Sequence, residues 1–170
     1  MSLKSAIFDY LARIEASDQA CINEHMEGHM MRVEGLKHEV TFGKHSVAVD
    51  EPLVFGGTES AANPAEVALA GVAASISVTL QALAAMEDIA IDDVRIVISG
   101  TLDARGFFDL EPGIRAGFRR IDIELRVDSP APSSALSALL KRVERACPVL
   151  DAVRDPTPVR LTMHHQGDRG

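Results

Sequence analysis

Cysteine is scarce in this chain, and positive charge is outnumbered. The two cysteines, Cys21 and Cys147, stand far apart. They make no CxxC pair and no zinc spacing, and they are too few for a disulfide framework. Nothing in the sequence supports a bond between them, and two separated thiols suit a reducing cytoplasm. Lys and Arg number 17 against 25 Asp and Glu, giving a net charge of −8 and a pI near 5.2. No cluster of Lys or Arg interrupts that balance, so a general phosphate-backbone binder is excluded. Internal repeats, low-complexity tracts and linkers are all absent. The opening MSLKSAIFDYLARIEA carries acids within an amphipathic pattern and does not read as a secretory signal. What remains is one domain of ordinary soluble composition, 46 % apolar and 25 % charged.

The chain is organised around the stretch from Asn63 to Met86. Asn63 suits a helix N-cap, Pro64 a first turn, and Glu66 the third position of a capping box. From Val67 to Met86 there is no charge, which predicts a long central helix, apolar nearly all round and buried. The run is long enough for a bilayer, but its Ala content, its Gly71 and its polar Ser75, Ser77, Thr79 and Gln81 argue for a protein core. No membrane partner is expected.

Around it, Leu3, Ile7, Phe8, Leu11 and Ile14 predict an amphipathic helix over residues 2–17. Residues 17–28 read as a polar turn. Met31 and Val33, Val40 and Phe42, and Val47 and Val49 predict strands broken at Gly35 and at Gly43-Lys44. Residues 50–62 read as a functional loop. Ile121, Ile123, Leu125 and Val127 alternate with charged residues and predict a half-buried strand paired with 94–102. A helix capped by Ser133 or Ser134 follows, broken by Pro148, then a helical turn over 149–154. A last strand is expected over Val159, Leu161 and Met163, and a frayed tail after it. The order is α+β, with helices on antiparallel sheets. Small residues on several faces of the central helix suit a second copy of the same helix.

Cys147 precedes Pro148 where a helical turn begins, with Arg142 and Arg145 upstream. That setting favours a thiolate; the other reading is a small buried hydrophobe at a helix junction. Cys21 lies in the polar segment with no such setting. His25 and His29 share a spacing but lack a third ligand, so they read as a solvated turn and no metal is expected. Ser75 has no flanking glycines, so it is no hydrolase elbow, and a helical Ser more often bonds a backbone carbonyl. Gly56-Gly57 is a turn, not a phosphate loop.

The run DEPLVFGGTESAANPAEVALAGVAASISVTL, the strand RIDIELRVDSPAP and the segment RACPVLDAVRDPTPV together resemble the OsmC and organic hydroperoxide resistance proteins, over about residues 30–163. The resemblance implies a single domain over 1–170, with residues 1–29 added to that core. It implies an OsmC-like fold of antiparallel sheets wrapped around the central helix, in an intertwined homodimer. The implied chemistry is thiol-dependent reduction of organic hydroperoxides. One Cys on the central helix attacks the peroxide and becomes a sulfenic acid; a second Cys in the Cys-Pro segment closes a disulfide with it. An external dithiol then restores the pair, while an Arg and a Glu hold the attacking thiolate ready. No further cofactor is implied.

Only Cys147 matches that pattern. The first-Cys position falls on Ser75, which forms neither a sulfenic acid nor a disulfide. Ala65 stands where the Glu would be, with Glu66 one residue on, and Lys37 stands for the Arg without its fork. Three functions follow as expectations. The two-Cys site is incomplete and a cavity beside Ser75, lined by the central helix and by Leu53, Val54 and Phe55, with Glu66 and Lys37 near it, binds a small apolar ligand. Alternatively, Cys147 acts alone as a one-Cys peroxidase or peroxide sensor, resolved by an external thiol. Alternatively, the dimer is a structural or interaction module.

Overall fold

The computed structural model describes residues 1–165. The first helix, the last two helices and a two-stranded sheet pack on the central helix, and a three-stranded sheet contributes nothing to its core cluster. Helix α1 (Leu3–Glu15) is capped by the Ser2 hydroxyl, which accepts from Ser5 N, and α2 (Gln19–Ile22) follows under an Asp18 cap. β1 (His29–Glu34), β2 (Lys37–Phe42) and β3 (His45–Val49) form an antiparallel meander. Its two hairpins turn at Gly35 and Gly43, both left-handed at φ 51° and 57°. The central helix α3 runs Pro64–Met86. β4 (Asp93–Thr101) and β5 (Arg120–Asp128) pair antiparallel from Asp93–Asp128 to Thr101–Arg120. A one-turn α4 (Ala104–Phe107) lies in the connection between them; α5 (Ser133–Ala146) and α6 (Pro148–Arg154) complete the chain.

The expected elements form for the expected reasons. Asn63 Oδ1 accepts from Glu66 N at 2.9 Å and Glu66 Oε2 accepts from Asn63 N at 2.8 Å, so α3 starts on a full capping box. Period two in β5 turns Ile121, Ile123, Leu125 and Val127 toward α3 and leaves the charged residues between them in water. Within the chain, α3 is buried along one stripe, Val72, Ile76, Leu80 and Ala84. Leu139 and Val143 of α5, Leu150 of α6 and Val94, Ile96 and Ile98 of β4 pack against that stripe. The opposite face, with Ala70, Gly71, Ala74 and Val78, stays open to solvent. α3 is also long and apolar enough to cross a membrane, at a mean hydropathy of 1.8.

Three expectations need correction. Ser133 and Ser134 do not cap α5: Pro132 is the N-cap, and no side chain bonds the first turn. The polar segment 17–28 is not featureless, since α2 forms there and buries Cys21. The strand expected over Val159, Leu161 and Met163 does not form. Val159, Leu161 and Met163 are 88 %, 95 % and 88 % exposed, so the segment buries no face that would hold it against a sheet. Of the expected frayed tail, residues 166–170 lie outside the described residues.

Candidate functional site

Cys147 ends one helix and starts the next. Its N–H donates to Val143 O at 3.0 Å, closing α5, and its carbonyl accepts from Asp151 N at 2.9 Å, opening α6. Pro148, which lacks an N–H, suits the first position of the new helix. Between the two, the Cys147 backbone is extended, at φ −77° and ψ 111°. That kink turns the side chain inward onto α3, and Cys147 is 0 % exposed. Its Sγ–H donates to Ser75 Oγ at 3.2 Å. The sequence thus brings together, from positions far apart, the two residues that the resemblance pairs. Ser75 accepts this bond from a side chain on another helix.

Neither cation expected to activate the thiol is among its hydrogen-bond or ion-pair partners. Arg142 pairs with Glu87 at the end of α3, and Arg145 is exposed. Val72, Ile76, Val143 and Leu150 belong to the same core cluster as Cys147. A groove of about 350 Å³ runs along the outer side of this cluster, between β5 and the helices α5 and α6, with Glu144 and Arg154 at its mouth. Cys21, the other thiol, is buried apart from this site. Tyr10 donates its hydroxyl to Cys21 O at 3.2 Å and to the Glu24 carboxylate. The Glu24 contact, more than burial, pushes the Tyr10 hydroxyl up to about 12, while burial pushes the Cys21 thiol up. Both thiols are free.

Glu66 serves the cap, as its place in the sequence predicts, and is exposed. Lys37 opens β2 opposite Glu34, at the first hairpin of the meander. Leu53, Val54 and Phe55 form a single 3-10 turn in the 50–62 loop, and Val54 is 97 % exposed. His25 and His29 are exposed, and among the described residues no cluster suits a metal ion.

The 50–62 loop is held by Asp50, a residue the sequence reading passed over. Its side chain is fully buried. It accepts from Glu51 N at 2.8 Å, Thr58 N at 3.1 Å, Ser60 N at 3.0 Å and Ser60 Oγ at 3.0 Å, and from the Thr58 hydroxyl. These donors, the Thr58 hydroxyl first, hold the carboxyl far below the usual carboxylate range against the cost of burial. Asp50 N donates to Ala62 O at 3.2 Å and closes the loop at its base. A Cβ on Gly57 would lie 1.9 Å from Glu51 O, so only glycine fits where the loop crosses itself.

A second loop meets it. Asp103, capping α4, accepts from Arg105 Nη2 at 2.9 Å, Arg105 N at 3.0 Å and Arg119 Nη1 at 3.1 Å. Arg105 above all brings its carboxyl down to about 2. This network presents Phe107 and Phe108 to Phe55, with ring centroids 5.4 and 5.5 Å away. Together the loops and the first turn of α3 flank a cavity of about 460 Å³ that is open to solvent on one side. Phe55, Leu102, Ala104 and Phe107 line it from the loops, Asn63, Pro64 and Ala65 from the helix, and Glu51 from the rim. Ala65 and Ser75 lie on one helix, so the cavity sits roughly 15 Å along the α3 axis from the Ser75–Cys147 pair. It is therefore not the cavity expected beside Ser75: of the residues predicted to line that one, Phe55 lines this cavity, while Leu53, Val54, Glu66 and Lys37 do not. The sequence signal for the missing wall was the Phe107-Phe108 pair inside a polar, turn-rich stretch.

A family model described as OsmC-like protein matches residues 57–162, more than half of the chain. No curated protein matches the sequence. Among solved structures, the chain is similar to an OsmC-like protein from Mycoplasma pneumoniae: 16 % identity, TM-score 0.69, covering 79 % of this chain and 90 % of that one. It is similar to an organic hydroperoxide resistance protein OsmC from Legionella pneumophila: 21 % identity, TM-score 0.57, covering 75 % and 89 %. It is also similar to the organic hydroperoxide resistance protein OhrB of Bacillus subtilis: 21 % identity, TM-score 0.50, covering 76 % and 92 %. At these identities the likeness to solved structures is one of fold.

Proposed function

The chain belongs to the OsmC-like protein family, and on that footing we propose that it is a stress- and redox-related member in which two-Cys hydroperoxide reduction is lost and binding of a small apolar ligand remains. The observation that carries this reading is the bond from Cys147 Sγ to Ser75 Oγ. In the family reaction a thiolate attacks a peroxide oxygen, the O–O bond breaks, and the alcohol leaves with a proton. The sulfenic acid so formed condenses with the second thiol, releasing water and leaving a disulfide. Here an oxygen stands at the attacking position, and it has no thiolate to offer. The remaining sulfur, Cys147, is fully buried and gives its S–H to that oxygen. Burial argues against the one-Cys reading as well, because reactive thiols are partly exposed and electropositive in setting.

The ligand half of the proposal rests on the apolar cavity at the start of α3. Its volume is within the usual range for small-molecule sites. We place the protein in the cytoplasm on its two free thiols, as one domain with residues 1–29 added to the 30–163 core.

An intertwined homodimer is part of the same proposal. What supports it is the apolar surface left open on one chain: Val78 is 67 % exposed on α3, and Met30, Met31, Val33, Phe42 and Val47 are exposed on the β1–β3 sheet. Exposed apolar side chains in this number on one sheet and one helix face are what a partner surface would cover.

The test is turnover. Purified protein is mixed with cumene hydroperoxide and a dithiol such as dihydrolipoate, and hydroperoxide loss is followed. No consumption above that of the dithiol alone is expected. Catalytic consumption that disappears in Cys147→Ala would replace this reading with the one-Cys peroxidase.

A further inference from the structure

The cavity at the start of α3 has a charge character that narrows its ligand, given that it is a ligand site as proposed above. Its body is hydrocarbon: Phe55 and Phe107 meet edge to face at 5.4 Å, and Leu102 and Pro64 add aliphatic wall. Its polar rim is Glu51 and Asn63, and no Lys, Arg or His lines it. Among the described residues the Glu51 carboxylate pairs with no cation; its main chain alone is engaged, through the Glu51 N–H to Asp50 and the carbonyl to Glu59 N.

A helix N-terminus would ordinarily draw an anion to such a place. On α3 most of that seat is already filled, with Ala65 N–H left over. Glu66 N is taken by Asn63 Oδ1, Asn63 N is taken by the Glu66 carboxylate, and Pro64 has no N–H. The Glu66 charge itself offsets the positive end of the helix dipole. An incoming carboxylate or phosphate would find only the Ala65 N–H and the Asn63 amide as donors, set beside the Glu51 carboxylate on a protein of net charge −8. An incoming ammonium group would find the Glu51 carboxylate and two aromatic rings, whose faces attract cations within about 6 Å of the centroid.

The geometry points to a lipophilic ammonium compound as the ligand of this cavity, its cation at Glu51 and its hydrocarbon body against Phe55, Phe107, Leu102 and Pro64.

Calorimetric titration of the full chain at pH 7 with octylammonium, octanol and octanoate tests this. Octylammonium is expected to bind one per chain, about tenfold tighter than octanol, a preference of the size given by an ion pair and a cation–π contact together. Octanoate is expected to be weakest. In Glu51→Gln, octylammonium should fall to the octanol level while octanol is unchanged. In Phe107→Ala, all binding should weaken. Octanoate binding as tightly as octylammonium, or a preference for octylammonium that survives Glu51→Gln, overturns the proposal. Octanol matching octylammonium in the wild type overturns the charge selection but keeps the apolar-ligand reading. Binding of none of the three overturns both.

Discussion

At the scale of the residue, oxygen for sulfur at position 75 decides the chemistry, and a carboxylate at position 50 decides the shape of a loop. Asp50 has no cation beside it; hydrogen bonds from its own loop keep it ionised while buried. Because its folded-state pKa lies below the unfolded value of about 3.9, its stabilising contribution is complete above about pH 4. It is lost as the pH falls through the folded value. Asp50→Asn places an amide NH₂ among N–H donors. Denaturant titration is expected to show it less stable than the wild type at pH 7, with the gap narrowing between pH 4 and pH 3. A gap independent of pH over that range would mean that the charge is not what holds the loop. Asp50 was not legible in the sequence because its partners, Thr58 and Ser60, come together only when the loop closes on Ala62. Ser75 and Cys147 were paired in the sequence only through the family resemblance, since the residues alone read Ser75 as a helical serine; their contact depends on the tertiary fold.

At the scale of the element, α3 shows both how much a pattern specifies and where it stops. Its start follows from the sequence alone. Asn63→Ala removes one half of the capping box and is expected to cost about 1 kcal/mol in urea unfolding. Its buried stripe is less local. Leu80 sits in the core with Val72, Ile76 and Ala84, and Leu80→Ala is expected to cost about 2–5 kcal/mol, by lost transfer energy and the cavity left behind. A change under about 1 kcal/mol would place Leu80 outside a packed core. β5, with its strict alternation, was legible because period two names a face, and β4 was legible as a short apolar run beside it. The stretch around Val159, Leu161 and Met163 has that alternation too, yet it forms no strand here. Periodicity reports which face a strand would bury, but here Val159, Leu161 and Met163 are nearly fully exposed, and among the described residues no surface receives that face.

At the scale of the whole molecule, the open surfaces mark what one chain lacks. The β1–β3 sheet exposes its methionines, and α3 exposes the face carrying Ala70, Gly71, Ala74 and Val78. A second chain packed there would complete both. Sedimentation is expected to give a dimer at micromolar concentration, and Ala74→Glu, which puts a charge on the open face of α3, is expected to yield monomer or to lower the solubility of the chain. A wild-type monomer at high concentration would contradict the pairing. The cavity between the two loops was only partly legible, because one wall comes from residues 51–55 and the other from residues 102–107, and the tertiary fold alone joins them.

The claim that links these scales is that the site keeps the geometry of a two-thiol peroxidase and lacks one sulfur. Intact mass of wild type and Ser75→Cys after brief exposure to cumene hydroperoxide tests it most directly. The 3.2 Å contact between Cys147 Sγ and Ser75 Oγ leaves a second sulfur within reach of the S–S bond length of about 2.05 Å. The account predicts that the Ser75→Cys protein loses two hydrogens as it forms an internal disulfide with Cys147, while the wild type keeps both thiols reduced. Oxidation of wild-type Cys147 at the same rate, or a Ser75→Cys protein that never cross-links, would contradict it.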